Sequence, residues 1–162
     1  MSELGERIGA LVGGRSAAVV GVGNRLRGDD GVGSHVADRL RGRLAAAVYD
    51  VETVPENYLG VLTDAAPGVV LFVDAAAHGG PPGAWCLAPA GELASRSTST
   101  HAMSLLLLAR ALEARGIACW LIGVQPDDTE FGAPLTSAVA AGADTVEDAL
   151  IESLGAPEVL HA

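Results

Sequence analysis

The sequence predicts an α/β protein, a single domain over residues 1–162 in which helices cover both faces of a mostly parallel sheet of about five strands. Short apolar runs alternate with longer amphipathic segments, as in strands joined by crossover helices. Three of these runs, 16–23, 69–75 and 119–125, are apolar almost throughout, which is typical of strands buried on both faces. With 162 residues, 49% of them hydrophobic, the chain has the size of one compact domain with a real core.

The elements follow in an alternating order, with two of the strands less apolar than the others and therefore expected to be exposed or at an edge. The predicted strands are Ser16–Gly23, Ala45–Thr53, Val69–Ala75, Gly83–Pro89 and Cys119–Gln125. The predicted helices are Ser2–Val12, Gly31–Leu44, Glu56–Ala65, His101–Arg115 and Thr136–Leu154. Gly5 and Gly9 weaken the first helix. The Ser- and Thr-rich stretch Gly91–Thr100 is expected to be a mobile loop.

Composition excludes several classes of partner. The formal net charge of −10 opposes binding to nucleic acid or to an anionic membrane surface. No apolar run approaches the ~18 residues of a membrane span, and residues 1–15 lack the basic start of a signal peptide, so we expect a cytoplasmic protein. Cys86 and Cys119 have no CxxC spacing and are expected to be small, reduced core residues.

The stretch GVGNRLRGDDGVG, residues 21–33, stands where a nucleotide-binding fold keeps its phosphate loop. Leu26 occupies the position of the third glycine of a dinucleotide fingerprint, and Asp29 and Asp30 would repel a phosphate. One of the two aspartates is explained as a helix N-cap, a common role for this residue. The other aspartate then has no structural explanation, and Gly31 and Gly33 leave room for another group to approach the backbone closely.

Two further polar residues occur at element boundaries. Asp74 ends a fully apolar strand, and His101 opens a helix, where Ser99 or Thr100 would serve as the N-cap. If the first and third strands are neighbours, Asp30, Asp74 and His101 meet at the carboxyl edge of the sheet, where α/β folds bind ligands. Two such close carboxylates require a compensating cation, and this donor set suits zinc, nickel, iron or manganese. Capping roles for the aspartates and a structural role for the histidine remain the alternatives.

The chain also resembles a known family, the hydrogenase maturation proteases, over nearly its whole length. Five motifs in order carry the resemblance: GVGNRLRGDDGVG, TVPENY (53–58), FVDAA (72–76), STHAMSL (99–105) and GVQPDDTEFGAPLTSAV (123–139). The resemblance implies a phosphorylase/hydrolase-like α/β/α sandwich. It also implies an aspartic-type endopeptidase that activates nickel–iron hydrogenase by trimming the C-terminal extension of its large-subunit precursor after nickel insertion. TVPEN and GVQPD are more similar to the branch that serves formate-hydrogenlyase-type hydrogenases.

The resemblance implies that Asp30, Asp74 and His101 are both the metal-binding and the catalytic residues. Nickel is then recognised in the substrate, with zinc or cadmium able to replace it in vitro, and no other cofactor is expected. The expected partner is the large-subunit precursor, and this protein is expected to act as a monomer. Conventional protease motifs such as G-x-S-x-G and H-E-x-x-H are missing from the sequence.

Two other functions remain open from the residues. One is a nucleotide- or flavin-binding module in which Asp50 or Glu52 binds a ribose; the broken glycine pattern argues against it. The other is a scaffold of the same fold without peptidase activity. Asn24 and Asp29 flank the expected pocket, where they orient a ligand or simply form turns and caps.

Overall fold

The computed structural model describes residues 1–94 and 101–157, which contain five strands and six helices, in the predicted order except for one additional short helix after the fourth strand. The strands are β1 (Ala17–Val22), β2 (Ala47–Glu52), β3 (Val69–Ala75), β4 (Trp85–Pro89) and β5 (Ala118–Val124). The helices are α1 (Glu3–Val12), α2 (Val32–Leu40), α3 (Leu59–Ala65), α4 (Ala90–Ala94), α5 (Ala102–Glu113) and α6 (Ser137–Leu154). Short 3-10 turns precede α2 and α3, at Gly28–Gly31 and Pro55–Tyr58.

The strands form one sheet in the order β2-β1-β3-β5-β4. All pairs are parallel except β4 with β5, which is antiparallel. The prediction of a mostly parallel sheet is therefore confirmed, and the two less apolar strands are its edges. Because β1 and β3 are neighbours, the loops that follow them open at the same end of the sheet, as a ligand site there requires.

Alternation along β3 divides the core into two layers. Val69, Leu71 and Val73 pack with residues of α1, α2 and α6 on one face of the sheet. Val70 and Phe72 pack with residues of α3, α4 and α5 on the other face. All seven residues of β3 are buried, as expected of a central strand covered on both faces. The protein is thus a three-layer α/β/α sandwich, as predicted.

Gly33 sets the close packing of α2 against the sheet. A Cβ atom at this position would collide with the backbone carbonyl oxygens of Val22 and Val73. The space expected at Gly31 and Gly33 is therefore filled by the protein's own backbone, since a Cβ at Gly31 would lie 2.9 Å from the Cα of Arg25. These close approaches hold the loop after β1 directly over the ends of β1 and β3.

Two segments form helices although their composition disfavours one. The stretch expected to be a mobile loop, Gly91–Thr100, begins inside helix α4, so its first four residues are helical, and two of them, Leu93 and Ala94, pack in the core. Its remainder, including the expected caps Ser99 and Thr100, lies outside the described residues. Helix α1 forms despite its glycines, with the Ser2 hydroxyl accepting a hydrogen bond from the Gly5 N–H.

In the part of the chain that the structure describes, none of the helices combines the length and the apolar character needed to cross a membrane.

Candidate active site

Three elements bring Asp30, Asp74 and His101 together at the carboxyl edge of the sheet. Asp30 belongs to the 3-10 turn after β1, Asp74 is the penultimate residue of β3, and His101 is the N-cap residue of α5. All three side chains are almost fully buried, with 7%, 3% and 2% of their residues' surface exposed. The convergence predicted from the sequence is therefore observed in the fold.

His101 bridges the two carboxylates. Its Nε2 lies 3.1 Å from Asp30 Oδ2, and its Nδ1 lies 3.0 Å from Asp74 Oδ2. Asp74 Oδ1 also accepts a hydrogen bond of 2.8 Å from the backbone N–H of Ala75. The imidazole thus compensates two carboxylates that burial would otherwise leave without a countercharge.

The electrostatics of the three groups are strongly coupled. Burial by itself lowers the pKa of His101, but hydrogen bonds and charge interactions with Asp30 and Asp74 outweigh it and raise that pKa to about 10. Burial raises the pKa of Asp74 to about 6, even though His101 acts in the opposite direction. In this arrangement the histidine is the cation that balances the acidic pair at neutral pH.

The three side chains touch, but they do not converge on one point. Among residues 1–94 and 101–157, no group of three His, Cys, Asp or Glu side chains is arranged to hold a metal ion in common. The reason is that the two ring nitrogens of His101 face different carboxylates. For all three side chains to bind one ion, the ring must release at least one carboxylate and lose its second proton.

Neither aspartate of the GDD sequence caps helix α2. The N-cap position is Gly31, with no side-chain hydrogen bond, and Asp29 and Asp30 lie in the preceding 3-10 turn. Asp29 is completely buried and accepts hydrogen bonds from the backbone N–H groups of Asp127, Asp128 and Thr136. Sequence reasoning missed these partners, although they lie within the motif 123–139, which it had singled out without assigning it a role.

The rim of the site does not favour a nucleotide. Asp50, one of the two candidate ribose-binding acids, forms an ion pair of 2.6 Å with Arg25 and accepts a hydrogen bond from the N–H of Glu52. Asn24 Oδ1 accepts a hydrogen bond from the N–H of Leu26, which is the turn-forming role considered for it. Asp50, one of the two acids that the nucleotide interpretation offers for the ribose, is therefore engaged in shaping the loops.

The cysteines lie apart from this site. Cys119 is buried in the core, Cys86 is partly buried, and both are free thiols. Burial raises the pKa of Cys119 to about 12, which disfavours the nucleophilic thiolate. This agrees with the expectation of reduced core residues.

Comparison with known proteins assigns the family. The family model of the hydrogenase maturation proteases (HycI) matches residues 32–153, a range that includes Asp74 and His101 and begins just after Asp30. The hydrogenase 3 maturation protease of Escherichia coli K12 is 31% identical over 132 residues, covering 77% of this chain and 82% of that protein.

Solved structures agree in fold. The crystal structure of the NiFe hydrogenase maturation protease HycI from Thermococcus kodakarensis has a TM-score of 0.83 and 27% identity, covering 91% of this chain and 98% of that chain. The endopeptidase HybD from Escherichia coli has a TM-score of 0.74 and 24% identity, covering 88% and 95%, and supports the fold alone. The chain therefore belongs to the hydrogenase maturation proteases, a family of endopeptidases.

Proposed function

We propose that this protein is a nickel-dependent endopeptidase that removes the C-terminal extension of a nickel–iron hydrogenase large-subunit precursor once nickel has been inserted. Family membership supports the peptidase activity and a hydrogenase precursor as the substrate. The observation that carries the nickel proposal is the contact of His101 with both Asp30 and Asp74 in one buried cluster. In this proposal the protein acts as a cytoplasmic monomer.

The side chains of the site are suitable ligands for the nickel ion carried by the precursor. Two carboxylates and one imidazole are ligands that borderline divalent ions such as nickel accept, and they leave coordination positions for groups of the precursor. Asp30 and Asp74 are buried acids that both contact His101, so a divalent cation replaces the charge of the imidazolium when the ring gives up its proton. The site therefore exchanges protons for a metal ion.

The residues of the chain act as a checkpoint for the metal. His101 holds the two carboxylates in place until the nickel of the precursor enters, and then turns one nitrogen toward it. A bound divalent ion supplies Lewis acidity for a carbonyl or an activated water. Asp30 and Asp74 keep the ion next to the peptide bond to be cleaved, and the surrounding burial excludes bulk water.

The direct test is the intact mass of a nickel-loaded large-subunit precursor after incubation with the protein. We expect the wild type to remove a C-terminal peptide from the nickel-loaded precursor and to leave nickel-free precursor at full mass. Asp30→Asn, Asp74→Asn and His101→Ala should each abolish cleavage, because each removes a ligand. Asp64→Asn, which makes the same charge change at an exposed site on α3, is the matched control and should cleave normally.

Two outcomes would contradict the proposal. Equal cleavage of precursor with and without nickel would exclude the checkpoint while leaving the peptidase activity. Full-length precursor under all conditions, with an authentic partner, would favour the scaffold alternative.

A further inference from the structure

Asp29 is the most heavily hydrogen-bonded carboxylate described in the protein, and metal binding leaves it without a role. Its Oδ2 accepts hydrogen bonds of 3.0 Å from the N–H groups of both Asp127 and Asp128. Its Oδ1 accepts one of 2.8 Å from the N–H of Thr136, whose hydroxyl lies 2.9 Å from Oδ2. The carboxylate is completely buried, so these donors replace its water shell.

The bonds of Asp29 fasten one segment, 126–136, to the turn that carries Asp30. Two backbone contacts extend the junction: the N–H of Asp29 donates to the carbonyl of Asp128, and the N–H of Gly132 donates to the carbonyl of Leu26. Gly28 has φ +53°, and a Cβ there would collide with the Asp128 carbonyl oxygen. The turn and the segment are therefore in close backbone contact along their length.

Leu135 packs against the core, but the other described contacts of the segment are few. Residues 126–136 contain neither helix nor strand, and none of them is fully buried. At its end, Thr136 is the N-cap residue of α6, yet its hydroxyl bonds to Asp29 and makes no cap bond. The negative charge of Asp29 instead faces the start of α6, where it interacts favourably with the helix dipole. Asp29 thus fixes both the path of the segment and its exit into α6.

The junction between the fastened segment and the turn region carries two exposed apolar residues. Phe131 is 72% exposed and Leu26 is 63% exposed, and the N–H of Gly132, the residue after Phe131, donates to the carbonyl of Leu26. The other phenylalanine of the protein, Phe72, is fully buried. Exposed aromatic side chains held on a rigid backbone are typical of residues that dominate binding energy at interfaces. Leu26 lies two residues before the turn that carries Asp30, which the precursor approaches in the proposed function.

We propose that Asp29 is a positioning residue, which holds segment 126–136 as one wall of the precursor-binding surface, and that Phe131 contacts an apolar side chain of the precursor. The inference rests on the proposed function for the identity of the bound protein. It assigns the two consecutive aspartates separate tasks, Asp30 on the metal and Asp29 on the polypeptide.

The test measures precursor binding directly, so that its result is independent of cleavage. Asp29→Asn places an amide NH2 against backbone N–H donors and should free the segment, which hydrogen exchange at the amides of Asp127, Asp128 and Thr136 will report. Phe131→Ala leaves the fold intact because the ring is exposed. We expect both variants to raise the Kd for nickel-loaded precursor and the KM for its cleavage about tenfold, with kcat within about twofold of the wild type. Asp64→Asn and Leu107→Ala are the matched surface controls and should change neither constant.

The readouts separate the two proposals. Unchanged precursor affinity in both variants would overturn the positioning role, and so would a loss confined to kcat. If the wild type binds the precursor but does not cleave it, the peptidase proposal fails. The Kd values of the two variants then still decide whether Asp29 and Phe131 contribute to precursor binding. Thermal unfolding distinguishes a freed segment from a destabilised protein, and Phe131→Ala keeps the test valid if Asp29→Asn does not fold.

Discussion

Asp29 and Asp30 are consecutive residues whose carboxylates engage opposite sides of the sheet. Asp30 contacts His101 at the start of α5, whereas Asp29 bonds to Thr136 at the start of α6. Since α5 and α6 pack on different faces, this one turn connects both helical layers at the carboxyl edge. The two neighbouring side chains of this turn therefore point in opposite directions, one toward each helical layer.

The charge state of His101 is the first prediction. Because Asp30 and Asp74 raise its pKa to about 10, the ring should remain an imidazolium at pH 8 in metal-free protein. Imidazole ¹⁵N shifts measured against pH will check this. Asp30→Asn removes one of the two carboxylates and should move the titration midpoint to lower pH, whereas Asp64→Asn should leave it unchanged. A wild-type midpoint near 6.5 would contradict the bridged geometry.

The stability of the metal-free protein should depend on pH through the same group. A pKa raised from 6.5 to about 10 means that the folded state binds the proton of His101 more tightly than the unfolded state does. Its stabilising contribution is therefore complete below about pH 6.5 and is lost as pH rises through about 10. The pKa of Asp74 is raised from 3.8 to about 6, so the folded state also binds this proton more tightly than the unfolded state does. The stability of the fold should therefore fall as pH rises from about 3.8 to about 6 as well.

The measurement for this second prediction is the free energy of unfolding in urea, compared between wild type and His101→Asn from pH 6.5 to pH 10. The difference between the two proteins should shrink as pH rises. A constant difference across the range would show that the ring contributes packing alone.

Gly33→Ala should destabilise the protein by roughly 3 kcal/mol or more, because the added methyl group collides with two backbone carbonyls that cannot move independently. Gly9→Ala is the control: a Cβ at this position of α1 meets no atom within 4 Å, and alanine favours a helix by about 1 kcal/mol. Thermal or urea unfolding of both variants checks the pair. Similar stabilities would show that α2 is free to move away from the sheet.

Thiol reactivity provides a test of the core. Burial raises the pKa of Cys119 to about 12, and burial also raises that of the less buried Cys86. We expect iodoacetamide at pH 8 to leave Cys119 unmodified in the folded protein, to modify Cys86 slowly, and to modify both in urea. Peptide mass spectrometry identifies the modified residue. Rapid labelling of Cys119 in native protein would contradict its place in the core.

Much of the fold was predictable because local pattern and burial agree. The apolar runs are long enough and apolar enough that strands β1 and β3 lie within the predicted ranges and β5 begins one residue before its range, at Ala118, and the less apolar β2 and β4 are edge strands as expected. Asp30, Asp74 and His101 were predictable for the same reason: each stands at the boundary of such an element. Helix α4 was not predicted, because a helix of five residues has too few turns for its hydrophobic periodicity to be recognised in the sequence.

The sequence by itself determined the strands and the helices other than α4, and it placed Asp30, Asp74 and His101 at element boundaries, because these follow from hydrophobic period and from position at strand ends. Only the tertiary structure decided what each of the two adjacent aspartates does and which carboxylate each nitrogen of His101 faces. Asp29 finds its partners about a hundred residues along the chain. No local pattern specifies such a contact, because it depends on where β5 delivers the segment that follows it.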